Sequence, residues 1–394
     1  MNLRIKSMRC LRCGKKLPIG DYLFGCPHCL ERGERSSVTF TYEGEAHIRT
    51  DAHGLHRYVE YLPYEIFPSI GEGETPLVEL KRMAQDLGCA DIHCKNEFQN
   101  PSGSHKDRMN PFVIARAMDT KKATISCASS GNEAASLALY AAAAGVECCN
   151  VSSEDITPIW LAPSLASKAR VVLTKTPEDR LAYLQEKIDR EDWYCVTNQL
   201  IPPVGSSCFG IQGYKTIAYE LFEQMGKSLA DYIFVPTCRG DLLYGIFEGF
   251  QDLVAQGLIS YIPHLVAVEP FARLEHVLDG ADYKDIFTGS SELTPSIGGG
   301  TVTYQSLLAL QESKGFAISV PQEDVVDNIV SMARYGLYLE ASSAILHGAL
   351  KKAILERWVP SDSRIVFIAT SHGFKNDPDY FERADFISLI SRKK

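Results

Sequence analysis

From about residue 70 onward, short apolar runs rich in β-branched residues alternate with stretches of helical periodicity. That rhythm restricts the fold more than any single residue does. Strands are expected at Ile125–Cys127, Cys148–Val151, Val171–Thr174, Ile233–Pro236, Leu265–Val268 and Ile365–Ala369. Helices are expected at Pro111–Met118, Glu133–Ala144, Pro177–Ile188, Gly213–Met225, Leu242–Gln256 and Ala341–Leu355. A helix between successive strands is the crossover that parallel pairing requires, so the reading is an α/β fold of open parallel sheets with helices on both faces. In such sheets ligands bind beyond the carboxyl ends of the strands, where a strand hands over to a helix. Cys127–Asn132, Pro236–Asp241 and Thr370–Gly373 all follow strands and are the places to look. No internal repeat is visible.

A chain of 394 residues is long enough for more than one lobe. Hydrophobic residues make up 45% and charged residues 23%, and no apolar run reaches the roughly 18 residues needed to span a bilayer. The longest, Leu137 to Val146, is short and Ala-rich and reads as a buried helix. Met1–Cys10 is basic and polar with no apolar stretch after it, so a cytoplasmic location is expected, with no membrane partner. The net charge of −9 argues against a nucleic-acid surface but leaves room for a local basic pocket.

Residues 1–45 read as a separate module. Cys10-Leu-Arg-Cys13 and Cys26-Pro-His-Cys29 form two CxxC knuckles twelve residues apart. Four thiolates at this spacing can surround Zn²⁺ tetrahedrally, and so short a segment scarcely folds without the metal. His28 lies inside the second knuckle, but four thiolates already fill the coordination shell. The zinc is therefore expected to be structural. The chain has twelve cysteines, and the other eight read as small buried hydrophobes in a reducing compartment.

Two motifs open the main body. Gly71-Glu-Gly-Glu-Thr75-Pro-Leu77 is followed by Lys95-Asn-Glu97-Phe-Gln-Asn100-Pro-Ser102-Gly-Ser104-His105-Lys106-Asp107-Arg108. Together they resemble pyridoxal-phosphate (PLP) enzymes of the tryptophan synthase β-chain fold, threonine synthases most closely, whose patterns are GEGxTPL and KxExxNPTGSFKDR. Ser102 replaces the threonine and His105 the phenylalanine. The resemblance makes Lys106 the Schiff-base lysine. Such an amine must be neutral to attack an aldehyde, and desolvation with nearby cations is expected to lower its pKa.

Further motifs extend the resemblance over nearly the whole chain, zinc module included. Ser129-Ser130-Gly131-Asn132 matches the family's S-S/T-G-N. It implies that Asn132 bonds the cofactor's phenolic oxygen and that Ser129, Ser130 and Gly131, together with Ser104, face the substrate. Free N–H groups at a helix start favour anions, which agrees. Gln212-Gly213-Tyr214-Lys215-Thr216 resembles a helix entry, with Lys215 read as either a surface cation or a substrate contact. Thr237-Cys238-Arg239-Gly240-Asp241 occupies the place of the phosphate cradle, where relatives carry several glycines. There Arg239 is expected to supply charge, and Asp241 to be held off by pairing with Arg239 or by capping the next helix. Thr370 is expected to face the pyridine nitrogen, and His372 to hold the turn, with a catalytic base as the alternative. Ser296-Ile297-Gly298-Gly299-Gly300 lies at an IGNP-type loop without its asparagine and proline, and Tyr338–Ala344 matches a family helix start with Ala341 in place of proline.

The resemblance implies two open parallel-sheet lobes, with residues 46–109 and 206–394 forming a large cofactor-binding lobe and 110–205 a small one. It implies a homodimeric lyase of amino-acid biosynthesis acting on a phosphorylated amino acid: O-phosphohomoserine to threonine and phosphate, by γ-elimination and addition of water at Cβ. Lys95, Arg108 and Lys215 are the cations expected at the substrate phosphate. Two alternatives stay open. One is a paralogue performing β-replacement or β-elimination on O-phosphoserine, as in cysteate synthase. The other is a catalytically silent scaffold.

Overall fold

The computed structural model describes residues 1–190, 193–197, 200, 202–226, 228–382, 386 and 389. Its strands form three sheets. The N-terminal sheet contains β1 (Ile5–Cys10), β2 (Lys16–Leu17) and β3 (Val38–Tyr42), all antiparallel, in the order β2-β1-β3. The second has four parallel strands in the order β8-β7-β6-β9: β6 (Thr124–Ala128), β7 (Glu147–Ser153), β8 (Arg170–Thr174) and β9 (Trp193–Cys195). The third has six, in the order β12-β11-β10-β13-β5-β4. These are β4 (Leu77–Glu79), β5 (Asp91–Lys95), β10 (Tyr232–Pro236), β11 (His264–Glu269), β12 (Phe316–Ser319) and β13 (Arg364–Ile368). All pair in parallel except edge strand β4.

The expected rhythm is present, with two physical differences. β4, β5, β9 and β12 are not among the strands expected from the sequence. β5 reads Asp-Ile-His-Cys-Lys, and its charged ends hide a strand paired with β13 on one side and β4 on the other. The helix expected over Ala341–Leu355 is two helices, Ala341–Ala344 and Leu346–Leu355, meeting at Ile345. Phe234, Ile365 and Phe367 on the central strands are fully buried, as interior parallel strands require.

A buried charge cluster locks the first motifs to the helix Lys215–Met225. Arg108 donates from Nε to Glu97 Oε2 at 2.6 Å and from Nη1 to Glu220 Oε1 at 2.7 Å. Lys95 Nζ reaches Glu220 Oε2 at 2.5 Å and the Thr75 carbonyl at 2.6 Å. Burial alone raises the Glu220 carboxyl, but Arg108 and Lys95 overcome it and hold it down at about 2. The two basic residues therefore brace the fold and do not face a substrate, contrary to the expectation for them. Lys215 corrects the same expectation: it is buried, with Nζ 2.6 Å from Asp252 Oδ2 and 2.9 Å from the Tyr61 carbonyl. Arg108→Ala strands Glu97 and Glu220 without their guanidinium, so unfolding free energy should fall by about 3–5 kcal/mol, read as a lowered denaturation midpoint.

Candidate active site

Pro236 ends β10 at the carboxyl edge of its sheet, and Ala128 ends β6 at the edge of the other. Between these edges lies a cavity of about 490 Å³. Its wall includes Lys106, Ser129–Glu133, Thr237–Leu243, the loop Pro295–Gly299 and Thr370. Residues separated by more than 260 positions thus meet in one place. Ser104 is the exception among the expected site residues: it is fully buried, its Oγ 3.3 Å from Ser102 Oγ, and it bridges to Ser371 behind the wall.

Lys106 lies in the short turn His105–Arg108, and its Nζ is 3.3 Å from Tyr214 Oη and 3.6 Å from Glu133 Oε2. Burial pulls the ammonium down, but Tyr214, Glu133 and Asp241 pull harder the other way, so it is held above the ordinary lysine range. This corrects the expectation of a lysine depressed by neighbouring cations, since its neighbours are anionic or hydroxylic. Tyr214 and Glu133 were both missed as site residues. The signal for Glu133 was its place directly after Asn132; Tyr214 offered none beyond its helix-entry motif.

The segment before the helix Asn132–Ala144 lines the cavity with backbone more than with side chains. Ser130 Oγ turns away to Ser152 Oγ at 2.7 Å, and Ser129 Oγ accepts from Gly131 N at 3.2 Å. Asn132 is fixed from three sides. Its amide donates to Glu340 Oε2 at 2.9 Å and accepts from Lys375 Nζ at 2.7 Å and Ser371 Oγ at 3.1 Å. Thr370 Oγ1 lies 2.7 Å from Ser343 Oγ. His372 takes the Phe374 N–H on Nδ1 at 3.2 Å and stacks on the Phe374 ring, as a turn residue does.

Across the cavity, the helix Asp241–Ala255 starts at Gly240 with no side-chain cap. The backbone N–H groups of residues 238 to 243 have no hydrogen-bond partner among the described residues. Such a row at a helix start is an anion cradle made of main chain, so the lost glycines do not remove it. The one glycine kept has to be there: Gly240 has φ +79°, and a Cβ on it would meet Ser306 Cβ at 2.3 Å. Asp241 neither pairs with Arg239 nor caps the helix. Its carboxylate accepts from Ser206 N at 3.2 Å, Ser206 Oγ at 2.7 Å and Gln305 Nε2 at 2.5 Å, which turns it back from the cradle. An amine and a row of unpartnered N–H groups lining one cavity fit an aldehyde cofactor that carries a phosphate.

In the N-terminal sheet, the sulfurs of Cys10, Cys13, Cys26 and Cys29 all lie within 4.8 Å of one another. No helix among the described residues is long and apolar enough to cross a membrane.

Comparison with known proteins shows the family. Residues 68–371 match the family described as pyridoxal-phosphate dependent enzyme. Threonine synthase from Methanocaldococcus jannaschii is 30% identical over 95% of this chain and 94% of its own. Threonine synthase from Mycobacterium leprae is 28% identical over 78% and 83%. Among solved structures, threonine deaminase isoform 2 from Solanum lycopersicum superposes with TM-score 0.65 at 19% identity, covering 80% of this chain and 88% of its own, and so shares the fold. The chain belongs to the pyridoxal-phosphate-dependent enzyme family and is a threonine synthase-like lyase of the tryptophan synthase β-like fold.

Proposed function

We propose that the chain releases phosphate from a phosphorylated amino acid, converting O-phosphohomoserine to threonine. The reading rests on one observation: two arginines, Arg180 of the helix Pro177–Arg190 and Arg239 of the loop after β10, line the cavity that holds Lys106. PLP, when bound, supplies the electron sink for elimination and replacement chemistry. Lys106 would hold it, the N–H row of residues 238 to 243 would hold its phosphate, Asn132 would meet its phenolic oxygen, and Thr370 its pyridine nitrogen. A neutral hydroxyl at that nitrogen leaves the ring a milder sink, which suits elimination. The Ser129–Gly131 backbone would bind the substrate carboxylate.

Lys95, Arg108 and Lys215 are committed elsewhere, which leaves the substrate phosphate to other cations. Arg180 is suited to it, since its Nε is buried without a hydrogen-bond partner among the described residues. Arg239 sits beside the cofactor-phosphate cradle. Charge-assisted hydrogen bonds contribute roughly 1.5–3 kcal/mol, so each loss should cost about one to two orders of magnitude. Arg180→Ala should raise KM for the phosphorylated substrate and leave PLP affinity unchanged; Arg239→Ala should weaken PLP affinity.

The loop Pro295–Gly299 lines the cavity without the asparagine and proline of threonine synthases, which keeps O-phosphoserine with a second nucleophile as the other reading. Purified protein given each phosphorylated substrate, with phosphate and product amino acids measured, decides between them. Phosphate from O-phosphoserine alone overturns the threonine reading. The paired CxxC knuckles support a structural zinc beside this chemistry.

A further inference from the structure

Lys106 presents a conflict. Its surroundings hold the amine protonated, yet a lysine that captures an aldehyde must first give up a proton. Four groups around it are able in principle to take that proton. Tyr214 Oη is held far above the ordinary phenol range by burial and donates to Met109 Sδ at 3.4 Å. Asp241 spends its oxygens on Ser206 and Gln305. His105 sets its Nδ1 3.3 Å from the Thr370 carbonyl, and burial depresses it well below the usual imidazole range. Glu133 is different. It is 9% exposed, and its Oε2 has no hydrogen-bond partner among the described residues while lying 3.6 Å from Lys106 Nζ. Its other oxygen is held at 3.0 Å by the Asn110 amide, once that amide is oriented to donate.

We infer that Glu133 is the proton partner of Lys106, accepting the Nζ proton when the amine must act as a nucleophile and returning it afterwards. The inference rests on the reading of Lys106 as the cofactor lysine. In the step, one Nζ–H bond breaks and its electron pair stays on nitrogen, while an Oε2–H bond forms. A buried ion pair becomes a neutral pair, and no external acid or base is consumed. A separation of 3.6 Å is ion-pair range and beyond a direct hydrogen bond, so transfer needs a small side-chain shift or one bridging water. Burial raises the Glu133 carboxyl above its ordinary range even against the opposing pull of Lys106, which brings the acidities of the two groups closer. Glu133 also faces Asp241, which adds to its tendency to hold a proton, and the buried Cys127 thiol, which burial and Glu133 hold in the protonated form. Glu133 thus positions a proton for Lys106 and acts through it.

The test is the rate at which cofactor-stripped protein takes up PLP, followed by visible absorbance across pH. Glu133→Gln keeps the shape and removes the base, so capture near neutral pH should slow by at least about tenfold. The deficit should shrink as pH rises and Lys106 loses its proton unaided. Glu133→Asp should retain a wild-type pH profile at a reduced rate, and it carries the test by itself should the glutamine variant not fold. Either variant capturing PLP at the wild-type rate at every pH, in a chain that does colour, overturns this inference alone. A wild-type chain that never colours overturns it together with the cofactor reading.

Discussion

Lys106→Ala should leave the chain colourless in PLP solution, with no adduct after borohydride treatment, while wild type turns yellow and carries the reduced adduct on Lys106. Among the described residues the lysine is the one amine in the cavity wall, between Tyr214 Oη at 3.3 Å and Glu133 Oε2 at 3.6 Å. Its removal takes away both the covalent anchor and the group that moves protons. General acid–base catalysis alone contributes roughly 10²–10⁴-fold, so phosphate release should fall by at least that factor. Folding should survive. The partner left behind is Glu133, whose carboxyl burial already raises, and it can take up a proton instead of remaining as a bare buried charge. Mass spectrometry locating a reducible adduct on the alanine variant would remove Lys106 from the centre of the site.

The parts of this protein legible in its sequence were those that depend on local pattern. β6, β7, β8, β10, β11 and β13 are apolar runs flanked by turns, and each was found where its periodicity put it. β5 and β12 depend on neighbours for their burial, and their own composition does not declare it. The candidate site divides in the same way. Lys106, Asn132 and the Thr237–Asp241 loop sit in short motifs, and all line one cavity. The roles given to Lys95, Arg108 and Lys215 failed because a basic residue in a motif reads alike whether it faces a ligand or a buried carboxylate. Only the approach of Glu220 and Asp252 from distant segments, and the folding back of Glu97 within the motif itself, distinguishes the two. The cradle shows the reverse case. Its side chains differ from the glycines of relatives, but the main-chain N–H groups of residues 238 to 243 have no partner among the described residues, so an anion held here would rest on main chain.

Removing zinc should destabilise the whole chain and abolish turnover only as the structure loosens. A Zn–S bond of about 2.3 Å in a tetrahedron sets neighbouring sulfurs about 3.8 Å apart. Cys10 and Cys29 are 3.5 Å apart, and Cys13 and Cys26 are 4.0 Å apart, so the four thiols already have the dimensions of such a site. Elemental analysis should find one zinc per chain. Structural zinc contributes roughly 10–16 kcal/mol in isolated zinc-finger peptides, and here it would hold a sheet of only three short strands. That sheet does not stand apart from the body. Met8, Leu17, Val38 and Phe40 share the main hydrophobic core, and Thr39 accepts from Gln212 Nε2 at 3.1 Å, two residues before Tyr214. Ser37 Oγ accepts from the Gly205 N–H at 3.3 Å, next to the Ser206 that holds Asp241 off the cradle. Chelation should therefore lower the melting temperature first, with PLP affinity and phosphate release declining together over time. Cys13→Ser should reproduce the loss of stability while freshly folded protein keeps most of its turnover. A chelator that stops phosphate release at once and leaves melting unchanged would make the metal catalytic, which four thiolates with no open coordination position do not allow.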